Sequence, residues 1–343
     1  MFFTPEKERR NRRISAFTSA AIAASIGVFG LVRWTEQWPW IVGAALLVAG
    51  LAHRFFTRKF RRRAQLLKAP FPPEWREILR THVAFYDALD KAERKRFEND
   101  VRVFLHEKAI TGIGTEIDQT TRLLVAASAV IPIFGFPEWE YDNLAEVLVY
   151  PSSFDEDKQF EGPHPRHLLG MVHSSGALNR IMILSKPDLV RGFAGNDAKH
   201  VGIHEFAHLL DAADGNVDGV PAAIRPACLQ PWLEVMASEM ERLQRGRSRL
   251  DPYALKNRGE FFAVASEAFF KSPRELMRDH PELYATLKCV FEQDTSRVAS
   301  SIRSMLSPSP PRTWRGAPCF CGSGRRYHRC CGKKRSRGKG RVA

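Results

Sequence analysis

Residues 204 to 208 read His204-Glu205-Phe206-Ala207-His208, and this run restricts the local fold more than any other part of the chain. Two histidines four apart lie one turn apart on one face of an α-helix. There both imidazoles can reach a single Zn²⁺, and the glutamate points at the water such an ion activates. The flanking sequence suits a helix: Val201, Phe206, Leu209 and Leu210 are apolar, no proline falls between Ala198 and Ala213, and Asp214-Gly215-Asn216 offers a stop. The pentapeptide alone also occurs in helices that bind nothing, so the surroundings decide. A catalytic zinc takes three protein ligands and keeps an open position, which calls for a third donor on another element. The stretch Gly259 to Phe270 is apolar and helical in pattern, yet carries Glu260 and Glu267 seven apart on one face. Buried carboxylates are costly unless paired or metal-bound, so at least one of them should face the metal.

His204 to Asp211, followed by Tyr253 and then Glu260-Phe261-Phe262-Ala263-Val264-Ala265-Ser266-Glu267, resembles the Mlc titration factor A family of zinc peptidases. That family is related to the gluzincins, which include the catalytic domain of anthrax lethal factor. The resemblance covers roughly residues 68 to 305. It implies that His204, His208 and Glu260 are the zinc ligands, that Glu205 is the general base, and that Glu267 is a supporting or structural carboxylate. It further implies that Tyr253 is a phenol donating to the tetrahedral oxyanion, and that His173 is a histidine able to occupy the open zinc position in a resting form. Each has an alternative reading: Tyr253 as a packed aromatic at a helix start, His173 as a polar residue on an edge strand. Asp211, three residues after His208, either orients a ligand imidazole or caps the turn that follows, and the second reading is preferred. The activity implied is zinc-dependent hydrolysis of peptide bonds in a peptide or protein substrate. The resemblance also implies a function of another class, a zinc-containing regulatory protein that captures a transcriptional regulator or other protein partner.

A second zinc signal closes the chain. Cys319, Cys321, Cys330 and Cys331, on a Cys-x-Cys turn and an adjacent pair separated by a glycine-bearing loop, suffice for a closed tetrahedral site. The segment resembles the SEC-C motif, a short zinc-binding tail. Two disulfides are the alternative, disfavoured for adjacent cysteines in a cytosolic setting. Four thiolates leave no open position, so this knuckle implies a second, structural Zn²⁺ and a docking surface for a protein partner or the ribosome. The basic residues around it, from Arg325 to Arg341, are read as a solvated tail, and nucleic acid is not the expected partner. Cys228 and Cys289 stand alone in the sequence and are read as buried, small apolar residues.

The front of the chain carries two apolar stretches, Ile14 to Val32 and Trp38 to Ala52 with Phe55 and Phe56 beyond. Each is near the length of about 20 residues that a spanning helix requires. The connector Arg33 to Gln37 is short, and Trp34, Trp38 and Trp40 suit an aromatic belt, so a two-helix transmembrane hairpin is expected. Lys7, Arg9, Arg10, Arg12 and Arg13 precede the first stretch, and Arg54, Arg58, Lys59, Arg61, Arg62 and Arg63 follow the second. By the positive-inside rule both termini, and with them the catalytic domain, are expected in the cytoplasm. The net charge of +14 comes largely from the two ends and does not mark the middle as a nucleic-acid domain.

The expected organisation is residues 1–66 as basic N-terminus and hairpin, 67–306 as the metallopeptidase domain, 307–316 as a Pro/Ser linker, and 317–343 as SEC-C motif and basic tail. About 240 residues are ample for one core. The fold class expected is α+β: a mainly helical zincin-like domain with a small sheet beside the zinc helix. Helices are expected over Trp75–Leu89 and Lys91–Ile110, with a buried helix from Leu123 that ends before Ile133, and strands over Glu146–Tyr150 and Ile181–Leu184. Substrate preference, oligomeric state and any activating signal are not encoded in a readable form.

Overall fold

The computed structural model describes residues 5–33, 38–136, 139–152, 180–194 and 199–298, together with 325, 326 and 329. His173 and the four cysteines of the C-terminal motif lie outside these residues. The chain divides into two units, Met1–Phe71 and Pro72–Ala343.

In the first unit, α1 (Pro5–Arg33) packs along α2 (Trp38–Phe56), and α3 (Arg58–Leu66) follows. Small and polar residues line the seam: Ser15, Ser19 and Ala45 are buried, and Ser15 Oγ lies 3.1 Å from His53 Nδ1. The opposite face of α2 is apolar and exposed, with Trp40 82% and Phe55 71% accessible. Among the described residues, α2 is the one helix long and apolar enough to cross a membrane.

The second unit begins with α4 (Pro73–His82) and α5 (Ala84–Ala88). The single helix expected over Trp75–Leu89 is broken at Val83, whose backbone is extended. Next, α6 (Lys91–Glu107) starts at a reciprocal capping box: Asp90 accepts from the backbone N–H groups of Ala92 and Glu93, and the Glu93 carboxylate accepts from that of Asp90. This helix stops short of the expected Ile110 because the chain turns into β1 (Ala109–Gly112), where Ile110 and Thr111 favour a strand. Lys108 anchors the turn by donating to the carbonyls of Tyr141 and Leu144, at 2.6 and 2.5 Å.

Three parallel strands, β1, β2 (Glu146–Tyr150) and β3 (Ile181–Ser185), form the sheet in that order. Ala109 is in register with Glu146, and Glu146 with Ile181. A parallel pair needs a crossover, and between β1 and β2 this is α7 (Gln119–Ile133), capped by Asp118, which accepts from Thr121 N–H at 2.6 Å. Every residue of α7 from Leu123 to Ile133 is buried, and Pro132 is accommodated in the last turn, so the helix runs one residue past the expected end. After β3 come α8 (Lys186–Ala194) and α9 (Val201–Asp211). Gly202 lets α9 approach α7 closely, since a Cβ there would lie 2.2 Å from Ser128 Oγ.

The remaining helices are α10 (Pro226–Gln244), α11 (Arg258–Lys271), α12 (Pro273–Asp279) and α13 (Pro281–Phe291). All twelve residues of α11 from Gly259 to Phe270 are buried. Trp232 of α10 packs on Phe261 and Phe262 at ring-centroid distances of 6.0 and 5.8 Å, and Phe291 of α13 stacks on Phe262 and Phe269. Cys228 and Cys289 are not the separate apolar residues expected: α10 packs on α13 and brings the two sulfurs into a disulfide across a sequence separation of 61. Neither spacing nor composition signals this pairing, because it arises from helix packing.

Candidate metal centre

The centre lies where α9 meets α11. His200, buried at the N-cap of α9, accepts from the Ile203 N–H at 3.2 Å. Burial, aided by Lys271, pushes its imidazole down to about 3, so it remains an uncharged cap. One turn on, His204 and His208 project together, with their Nε2 atoms 3.1 Å apart. From α11, Glu260 brings Oε2 to 3.1 Å from His204 Nε2 and 3.3 Å from His208 Nε2. Bonds of about 2.0–2.1 Å in a tetrahedron place ligand atoms about 3.3 Å apart, so this triangle fits a zinc ion. The donor set, two imidazoles and one carboxylate, is also that of an open catalytic site.

Electrostatics agree with the geometry. Burial opposes ionisation of Glu260, but the two imidazoles hold it well below the usual carboxylate range. Burial likewise opposes the charge on His204, yet contacts with Glu260 and Glu267 push that imidazole well above its ordinary value. Glu267, two turns beyond Glu260, accepts from His204 Nδ1 at 2.7 Å and also from the backbone N–H of His200. That contact fixes the tautomer with the Nε2 lone pair facing the metal position. Glu205 is buried on α9 and close enough to His204 for its charge to be felt there.

A short 3-10 turn, Pro252–Leu255, presents Tyr253 beside the triangle, its phenol donating to Glu260 Oε1 at 3.1 Å. Asn257 then caps α11 by accepting from the Glu260 N–H at 2.8 Å, which fixes where the glutamate enters. Asp211 does not reach an imidazole; both its oxygens accept from the Gly219 N–H, at 2.9 and 3.1 Å, as the capping reading anticipates. Burial raises this carboxyl to about 6. Trp232 Nε1 donates to the Gly219 carbonyl at 2.7 Å, tying the loop after α9 to α10.

The structure thus brings together six of the residues read from sequence: His204, Glu205, His208, Tyr253, Glu260 and Glu267. Three others escaped that reading. His200 and Trp232 carry no local pattern that marks them. Lys256, three residues after Tyr253 and four before Glu260, has helical spacing to both and could have been found.

The family model for glucose-regulated metallo-peptidase M90 matches residues 57–292, a span containing every residue of this centre. The chain belongs to this M90 family. A separate SEC-C motif matches residues 317–333. Among similar proteins, "Uncharacterized protein slr2042" of Synechocystis sp. is 32% identical over 241 residues, covering 66% of this chain and 86% of the relative. Mlc titration factor A of Escherichia coli is 26% identical over 236 residues, covering 64% and 86%. Family membership makes the chain a metallopeptidase relative, and the His204, His208 and Glu260 triangle is where a metal ion fits.

Proposed function

We propose that this M90 protein is a zinc-dependent peptidase that hydrolyses peptide bonds between α9 and α11. The observation that carries the reading is the triangle of His204 Nε2, His208 Nε2 and Glu260 Oε2 with edges of 3.1–3.3 Å, backed by Glu267 on His204 Nδ1. Zinc bound there would polarise the scissile carbonyl and acidify the attacking water. The chain's own groups do the rest. Glu205 takes the water's proton and returns it to the leaving amine. Tyr253 donates to the carbonyl oxygen as it becomes negative. Glu267 keeps the His204 imidazole oriented throughout. His173 is proposed as a residue that can mask the open position, and Cys319, Cys321, Cys330 and Cys331 as ligands of a second, structural zinc.

Helix α2, with α1 paired to it, is proposed as a membrane hairpin with both termini in the cytoplasm, on the strength of the flanking basic residues. The Cys228–Cys289 disulfide pulls the other way, because such bonds persist in oxidising compartments. Protease accessibility in right-side-out and inverted membrane vesicles separates the two: cleavage of the second unit only in inverted vesicles supports the cytoplasmic placement, whereas cleavage only in right-side-out vesicles reverses the topology.

A second reading comes from the relative named Mlc titration factor A: binding of a regulator or other protein partner, with the SEC-C segment as an additional docking surface. Glu205→Gln separates the two functions in the full chain. Peptide cleavage lost while zinc is retained supports the peptidase; cleavage unchanged in the variant rejects the assigned mechanism.

A further inference from the structure

Glu260 divides its two oxygens between different tasks. Oε2 faces the imidazoles, while Oε1 accepts from Tyr253 at 3.1 Å and faces Lys256 Nζ at 3.5 Å. Lys256 also donates to the phenol oxygen of Tyr253 at 3.2 Å, with Nζ 5.1 Å from the centre of that ring. Three groups thus form a closed triangle on the outer side of the metal position. The local backbone enforces it. Lys256 ends the 3-10 turn, its N–H donating to the Tyr253 carbonyl at 3.1 Å, and Asn257 immediately begins α11. Tyr253, Lys256 and Glu260 therefore stand at i, i+3 and i+7 with little freedom to separate.

In this arrangement the phenol O–H donates to Glu260 Oε1. To stabilise an oxyanion, that proton must turn toward the reacting carbonyl, which would leave Oε1 without a donor in a buried setting. Unmaking such a bond is costly unless another donor takes over. Lys256 is already in reach of Oε1, and an ammonium carries three N–H groups. Its side chain is 55% exposed, so it can shift between the two oxygens.

We propose that Lys256 is a positioning residue that acts through Tyr253, taking over Glu260 Oε1 so that the phenol is released to the substrate oxygen. The inference rests on the peptidase reading above. Lys256 supplies the replacement donor and touches neither the metal position nor the scissile bond. Lys256→Met removes that donor with little change in bulk, and Lys256→Arg restores one.

The test compares the zinc-loaded full chain with Lys256→Met, Lys256→Arg, Tyr253→Phe and the Met/Phe double variant. Two readouts are taken: steady-state cleavage of a fluorogenic peptide, and affinity for a peptide phosphonamidate, a tetrahedral mimic whose binding needs no turnover. The expected result is that Lys256→Met lowers kcat by about tenfold with KM within about twofold, weakens phosphonamidate binding similarly, and leaves zinc affinity by chelator competition unchanged. Lys256→Arg recovers most of the loss, and the double variant is no worse than Tyr253→Phe, as expected when one residue acts through the other. Additive losses, zinc loss in Lys256→Met, or Lys256→Met matching the wild type each overturn the proposal while leaving the peptidase reading intact. A zinc-loaded chain that neither cleaves nor binds the phosphonamidate, in the wild type and in His173→Ala alike, overturns both.

Discussion

Helices α9 and α11 build one centre by opposite means. On α9 the ligands announce themselves: His204 and His208 are four apart and project from one face. On α11 the apolar residues run all round the helix, every residue from Gly259 to Phe270 is buried, and two glutamates are placed by what packs around them. Spacing alone sets the imidazole pair, whereas the position of the third donor depends on the tertiary core. Replacing a ligand imidazole on α9 should therefore alter chemistry with little effect on folding, and removing the aromatic packing behind α11 should do the reverse.

The sharpest way to break this contrast is Trp232→Ala. Trp232 is fully buried against Phe261 and Phe262 and holds the Gly219 carbonyl, so the expected cost is about 3–5 kcal/mol of unfolding free energy. Denaturant titration reads it. A loss below about 1 kcal/mol, with zinc binding intact, would mean that α11 is not held from this side. Next in size is Glu267→Gln, which leaves the helix packed but weakens the grip on His204 Nδ1. Zinc affinity should fall by about 10- to 100-fold, read by chelator competition, while the unfolding midpoint of the metal-free chain moves little. Gly202→Ala probes the α9 side of the core. The added methyl meets Ser128, and overpacking of about 1–3 kcal/mol is expected in thermal unfolding. The smallest effect belongs to Asn257→Ala, which removes the α11 cap at a cost of about 1 kcal/mol. Because the cap sets the entry of Glu260, a small drop in zinc affinity should accompany it.

The same division explains what could be read from the sequence. The α9 ligand pair, the α7 core helix, β2 and β3 all follow from local pattern, and the mainly helical composition with a small sheet follows from the family resemblance. The break at Val83 and the exact start of β1 at Ala109 were not readable: a helical pattern runs on both sides of Val83, and Lys108 is held at the turn into β1 by the distant carbonyls of Tyr141 and Leu144. The Cys228–Cys289 pairing likewise depends on two helices meeting. Apolar composition also fails to distinguish α2 from α7: one is exposed along its face and the other buried from Leu123 on, and length and Pro132 are the local clues. The choice between Glu260 and Glu267 was not decided by burial, since both are buried; it follows from the nitrogens they meet, Glu260 facing Nε2 of both histidines and Glu267 the Nδ1 of His204.

The most direct measurement is zinc bound per full chain, by metal analysis, in the wild type, His208→Ala and Glu260→Ala. One zinc equivalent lost in each variant, with the fold retained and peptide cleavage abolished, is the result this account predicts. A Glu260→Ala chain that keeps its full zinc content and its activity would contradict the central claim that α11 completes the metal centre begun on α9.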